Sequence, residues 1–167
     1  SGNYEGFKDH YTFGRRPNGI YIPRFRNIDE KTRRSDYVRG FGYQGSASRG
    51  RFNASDKIGV ELKEEAAGLG DWSMWLGSWG EQLPHYDNKV TLSKGKKDKW
   101  GLPMLDIDCE FKENEWAMRK DMMNSAAEML ESAGLKNINT FDDTKSYPGL
   151  CIHDMGTARM GKDPKTS

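Results

Sequence analysis

Residues 115–133, Glu115-Trp116-Ala117-Met118-Arg119-Lys120-Asp121-Met122-Met123-Asn124-Ser125-Ala126-Ala127-Glu128-Met129-Leu130-Glu131-Ser132-Ala133, carry the reading of the fold. Advancing about 100° per residue gathers Trp116, Met118, Met122, Met123, Ala126, Ala127, Met129, Leu130 and Ala133 onto one half of a helix, with Arg119 intruding on that arc. Asn114 reads as the N-cap and Gly134 as the residue after the C-cap, with Leu135 folding back. A helix with one apolar stripe must bury it against another layer. The methionines of that stripe are read as core packing, because unbranched thioethers fill irregular gaps.

The segments around this helix alternate with period two. In Trp72 to Glu81, Trp75, Gly77, Trp79 and Glu81 fall on one face and Met74, Leu76 and Ser78 on the other, and alternation alone does not choose the buried face. Tyr37 to Gln44 alternates in the same way, while Ile20 to Phe25 is β-prone with Pro23 marking an edge strand. Lys89 to Leu92 and Leu105 to Phe111 complete the strands, separated by a charged turn from Lys94 to Lys99. Residues 46–57 read as loop, 58–67 as a short helix or strand, and Gly68-Leu69-Gly70-Asp71 as a break. Short, closely spaced strands pair antiparallel. The expected architecture is therefore α+β: one domain over residues 1–167, a mostly antiparallel sheet with the long amphipathic helix on one face.

A chain of 167 residues is long enough to bury a core, and five Trp, seven Tyr and seven Phe exclude a disordered composition. The apolar runs are only a few residues long, so no membrane span is expected. Net charge is +1, yet residues 1–51 hold eleven Lys and Arg against five Asp and Glu. That basic third reads as solvated surface. An anionic ligand is the sharper alternative, and no nucleic-acid motif accompanies it. Cys109 and Cys151 lie in strand-like segments and read as buried free thiols rather than a disulfide or thiolate site. His10 and His85 read as surface residues without partners, and no metal site is expected.

Gly40-Phe41-Gly42-Tyr43-Gln44-Gly45 matches the G-x-G-x-x-G dinucleotide pattern letter for letter. That pattern works when its glycine turn opens a helix, whose first N–H groups hold the phosphates. Ser46-Ala47-Ser48-Arg49-Gly50-Arg51 is a poor helix. The stretch is read instead as a glycine-rich strand whose missing side chains admit something bulky.

The chemistry is concentrated near the C-terminus, in Cys151-Ile152-His153-Asp154-Met155-Gly156-Thr157-Ala158-Arg159-Met160-Gly161-Lys162-Asp163-Pro164. It resembles the H-x-M-G-T-x-R-M-G-x-D-P segment of the glucose–methanol–choline (GMC) oxidoreductases, particularly their bacterial sugar- and polyol-oxidising branch. Pro84 to Pro103, through Asn88, Val90, Leu92, Asp98, Gly101 and Pro103, resembles a second run of the same branch, in the same order.

The resemblance implies an FAD enzyme that oxidises CH–OH groups of a sugar or polyol, with the histidine matched by His153 beside the flavin ring. Neutral imidazole suits the task of taking a hydroxyl proton near pH 7. Gly156, Thr157, Met160 and Gly161 are implied to lie against the cofactor. A small-molecule alcohol and an electron acceptor are the implied partners. The family's nucleotide-binding unit and its second active-site His or Asn have no counterpart in this sequence, so the chain is expected to be a substrate-side piece that does not turn over alone. Trp75, Trp79 and Glu81 are a candidate sugar platform, since aromatic faces stack on pyranose C–H bonds and a carboxylate accepts hydroxyl protons. The rival reading is a carbohydrate- or anion-binding module without catalysis.

Overall fold

The computed structural model describes residues 1–5, 19–51, 56–143, 145, 148–149, 153, 155–156 and 160–165. The chain divides into two compact units, Ser1–Glu81 with Ala117–Asp142, and Gln82–Trp116 with Asp143–Ser167.

The first unit is built on a four-stranded antiparallel sheet of β1 (Gly2–Tyr4), β2 (Gly19–Ile22), β3 (Phe41–Arg51) and β4 (Leu69–Gly80), in the spatial order β1-β4-β3-β2. Strand β2 is an edge, as Pro23 requires, because proline has no N–H to offer a further neighbour. The exposed helix α1 (Gly59–Ala67) precedes β4. Two segments depart from the sequence reading. Residues 46–51, expected as loop, continue β3, and Leu69 and Gly70, expected as a break, open β4. Pairing explains both: Ser46 lies opposite Trp75, Ala47 opposite Met74 and Arg51 opposite Leu69. A long partner strand imposes its ladder on residues of low intrinsic β preference. In the other direction, Tyr37 to Gly40, expected as strand, is a bend in which Arg39 has φ 71°.

The core is aromatic on the sheet side and methionine-rich on the helix side. Tyr37, Phe41, Tyr43 and Met118 are buried together, packed by Phe25, Leu76, Met122, Ala126 and Met129. Phe25 and Phe41 meet edge to face at 5.4 Å, and Phe41 and Tyr43 at 5.6 Å. Burial pushes the Tyr43 phenol's pKa up, and its hydroxyl donates to Met122 O at 2.7 Å. The even-numbered face of β4 is thus the inner one, and a Cβ on Gly80 would collide with Met118 and Met122. The odd-numbered face, with Trp75 and Trp79, is left outward.

Helix α2 (Glu113–Ser132) confirms the amphipathic reading and the end signal. Gly134 has φ +84°, Gly134 N–H donates to Glu131 O at 2.8 Å, and Leu135 N–H reaches back to Leu130 O at 3.0 Å. This is the Schellman arrangement, with Leu135 buried. The start differs from expectation: Lys112, not Asn114, is the N-cap. Lys112 O accepts from Trp116 N–H at 3.1 Å, and Glu115 Oε2 accepts from Lys112 N–H at 2.9 Å. A glutamate three positions in supplies the returning half of a capping box, whatever residue occupies the cap.

The second unit contains the antiparallel hairpin β5 (Lys89–Lys97) and β6 (Pro103–Asp108), in which Val90 faces Ile107 and Leu92 faces Leu105. Lys94 to Lys97, expected as turn, extend β5 past a bulge. The reversal belongs to Asp98, whose Oδ1 accepts from Trp100 N–H and Leu102 N–H at 2.9 Å each, and to Gly101 at φ +86°. Strand β6 stops at Asp108, so Cys109 lies beyond it as a half-buried free thiol, while Cys151 lies outside the described residues.

His85 is not a partnerless surface residue. Its Nε2 is 3.1 Å from Oε2 of Glu115, a residue 4% exposed whose Oε1 accepts from Leu83 N–H at 3.0 Å. An ionised carboxylate only accepts, so Nε2 carries the proton. His10 is outside the described residues. Burial alone would raise the Glu115 pKa, but the bonds from Leu83, Lys112 and His85 outweigh it and hold the carboxyl below its ordinary 4.5. A carboxyl depressed in the folded state contributes stability above its unfolded pKa and loses it as pH falls through the folded one. Glu115→Gln is therefore expected to unfold earlier than the parent protein at pH 7. The gap should narrow once the pH drops below about 4.5. Thermal unfolding of the pair across pH measures it, and a gap independent of pH would show that the carboxylate charge is not what matters.

Candidate functional site

Two groups of residues carry chemistry. The first is the C-terminal segment. His153 is exposed, and among the described residues no side chain is bonded to it. Met155 and Met160 are 92% and 99% exposed, the two most open large apolar side chains of the described residues. Gly156 has φ +92°, a left-handed turn that glycine adopts without steric cost, with no atom within 4 Å of the place a Cβ would occupy. Gly161 is exposed as well, while Thr157 lies outside the described residues. Among the described residues of this segment, the imidazole and the two thioethers are all exposed.

The second group is the outer face of the four-stranded sheet. Trp75 and Trp79 project from the same side of β4 and lean toward each other over Gly77. A Cβ on Gly77 would stand 2.9 Å from Trp75 Cζ3 and 3.1 Å from Trp79 Cη2. The two six-membered rings therefore lie down in the space that a side chain would have filled. Trp75 Nε1 donates to Ser46 Oγ at 2.8 Å across the strand pair, which fixes its ring. Both rings keep large exposed areas, 48% for Trp75 and 39% for Trp79.

Glu81 follows next in the alternation and sits just past the end of β4. Its Oε1 is 3.4 Å from Arg24 Nη1 and its Oε2 3.7 Å from Arg39 Nε, at a carboxylate 55% exposed. Arg24 is itself held by Arg26 O and Asn27 O, and it occupies the space that a Cβ on Gly40 would need. So the structure brings Trp75 and Trp79 together and adds two arginines to Glu81 that the sequence reading had not joined to it.

Gly40 to Gly45 forms no phosphate loop. Gly42 and Gly45 lie inside β3, where the bulky neighbour is backbone: a Cβ on Gly42 would stand 2.7 Å from Ile22 O, and one on Gly45 would overlap Trp75 O. The glycines let β2 and β4 close on the central strand.

Residues 84–167, half of the chain, match the GMC oxidoreductase family. A 2-methyl-1,2-propanediol dehydrogenase from Mycolicibacterium austroafricanum is 35% identical over 89 residues, which are 53% of this chain and 16% of that enzyme. The chain thus aligns with less than a fifth of that relative's length. No solved structure matches. The matched region carries the His153 segment and the Asp98 hairpin whose geometry is described above, and with it the chain belongs to the GMC oxidoreductase family.

Proposed function

We propose that the protein is the substrate-side part of an FAD-dependent oxidoreductase that oxidises CH–OH groups of a sugar or polyol, with His153 as the proton acceptor. The observation that carries this reading is the exposed His153 imidazole, followed along the chain by the exposed Met155 and Met160 and the left-handed Gly156, within a segment of the family's pattern. FAD, when bound, supplies the acceptor for the hydride leaving the carbinol carbon. His153 takes the hydroxyl proton through an unprotonated ring nitrogen, so that electron density can collapse toward a carbonyl. Gly156, Thr157, Met160 and Gly161 would hold the cofactor, with Met160 offering it an apolar surface. Trp75 and Trp79 take the apolar face of the substrate, and Glu81, with lone pairs left over from its two arginines, accepts its hydroxyl protons.

A relative named for a diol supports an alcohol as the substrate class. The test is anaerobic mixing of the flavin-loaded full-length protein with aldoses, polyols and small diols. Bleaching of the flavin absorbance by one of these classes is expected. A protein that binds sugar yet holds no flavin, or whose flavin no alcohol bleaches, would be a binding module instead.

A further inference from the structure

The β5–β6 hairpin is polarised along its length. Residues 82–116 hold six lysines and no arginine, and four of the six, Lys94, Lys96, Lys97 and Lys99, stand exposed at the reversal. Between residues 93 and 102 their charge meets a single carboxylate, Asp98, whose Oδ1 is turned to the N–H groups of Trp100 and Leu102. The other strand acids lie at the far end, where Asp106 pairs with Thr91 and Asp108 with Lys89. Apolar side chains accompany the lysines. Trp100 is 73% exposed with Lys99 Nζ 4.2 Å from its ring centre, and Leu102 is 62% exposed. Just behind them Leu92 and Leu105 face each other across the strands, both exposed.

We infer that the tip of this hairpin docks on an anionic lipid bilayer, with the four lysines at the headgroup phosphates and Trp100 and Leu102 at the boundary with the acyl chains. Each lysine held near an anionic leaflet strengthens partition by about fivefold, and a cluster of four is enough to hold a protein at the surface. An indole suits that boundary, because its apolar body and its N–H donor are satisfied at one depth. Long lysine stems let the ammonium groups stay at the phosphates while the neighbouring side chains go deeper. The choice of lysine separates a lipid surface from a protein one: protein interfaces are depleted in lysine and enriched in arginine. A fluid leaflet offers mobile charges without fixed geometry, which a rotatable ammonium meets without a bidentate fork. The same leaflet repels Asp106 and Asp108, so the hairpin approaches tip first. Among the described residues no helix is long and apolar enough to cross a membrane, and docking of this kind requires none. It is independent of the chemistry proposed for His153.

The test is sedimentation of the full-length protein with vesicles of phosphatidylcholine alone and of equal parts phosphatidylcholine and phosphatidylglycerol. Binding to the mixed vesicles that high salt removes, and far weaker binding to phosphatidylcholine, is expected. Lys96→Gln combined with Lys97→Gln should weaken binding about 25-fold, two lysines' worth. Trp100→Ala should weaken it about fivefold through lost apolar burial. These are exposed side chains, so an unchanged unfolding temperature is expected to accompany both losses. Lys31→Gln combined with Lys63→Gln removes the same charge from exposed positions of the first unit and should bind as the parent does. Vesicles with brominated acyl chains should quench part of the tryptophan emission, and that part should vanish in Trp100→Phe. No binding to the mixed vesicles, equal binding to both kinds, or an equal loss in the Lys31 and Lys63 variant would overturn the docking surface. Quenching that survives Trp100→Phe would overturn it too. Binding to polyglutamate but to neither vesicle would assign the tip to an acidic protein instead.

Discussion

In the flavin-loaded full-length protein, His153→Ala is expected to keep its yellow cofactor and lose alcohol oxidation by a factor of about 10² to 10⁴, the range that a positioned general base supplies. The separation of binding from turnover follows from the surroundings of the residue. His153 is exposed and holds no hydrogen bond among the described residues, so its removal leaves no buried group unsatisfied. Substitutions of that kind change stability by about 0.5 kcal/mol or less. The cofactor-facing groups proposed for this segment are backbone at Gly156 and Gly161 and the methionine side chains, none of which the alanine alters. Flavin content and unfolding temperature should therefore match the parent protein while turnover collapses. The measurement is flavin absorbance per chain alongside the rate of anaerobic flavin reduction by substrate. Unchanged reduction in this variant would remove His153 from the reaction, and loss of the flavin would show it to be a cofactor ligand instead.

What could be read from the sequence followed from periodicity and from motif. The helix over residues 113–132 was legible because its apolar positions repeat at 3.6 and its C-terminal glycine has one use. The outward pair Trp75 and Trp79 was legible as a face, though alternation is symmetric and does not say which face is buried. That choice depended on Phe41 and Tyr43, whose bulk on the inner side of β3 commits Leu76 and Gly80 to the helix. Ser46 to Arg51 was misread as loop because serine and glycine are loop residues by composition, whereas here the partner strand decides. His85 was misjudged because its partner Glu115 lies thirty residues away.

Asp121 is the largest omission, and it carries the largest expected effect on stability. It falls on the helix stripe's margin, where a charged residue reads as solvated, yet it is 7% exposed. Its carboxylate accepts from Tyr37 OH at 2.6 Å, from Arg26 Nε at 3.0 Å and from Ser125 Oγ at 3.1 Å, with Arg34 Nε at 3.7 Å. Burial would raise its pKa, but the hydrogen bonds from Tyr37, Ser125 and Arg26 prevail and hold it below the ordinary 3.8. This single carboxylate ties residues 26–37 to α2, and those residues deliver Tyr37 to the core and lead into Arg39 and β3. Asp121→Ala would strand the buried Tyr37 hydroxyl and leave Arg26 without its counter-charge. Removing one partner of a buried pair costs about 3 to 5 kcal/mol, and the partial exposure of the Arg26 side chain puts the expected loss near the lower end, about 3 kcal/mol. Tyr37→Phe should cost about 1 kcal/mol, since it takes one hydrogen bond and leaves the ion pair. Because the Asp121 pKa is depressed on folding, its contribution is complete at neutral pH and fades as pH falls below about 3.8. Denaturant midpoints of the two variants at pH 7 and pH 3 measure both effects. An Asp121→Ala loss no larger than that of Tyr37→Phe would mean that the ion pair with Arg26 contributes nothing to holding the loop on the helix.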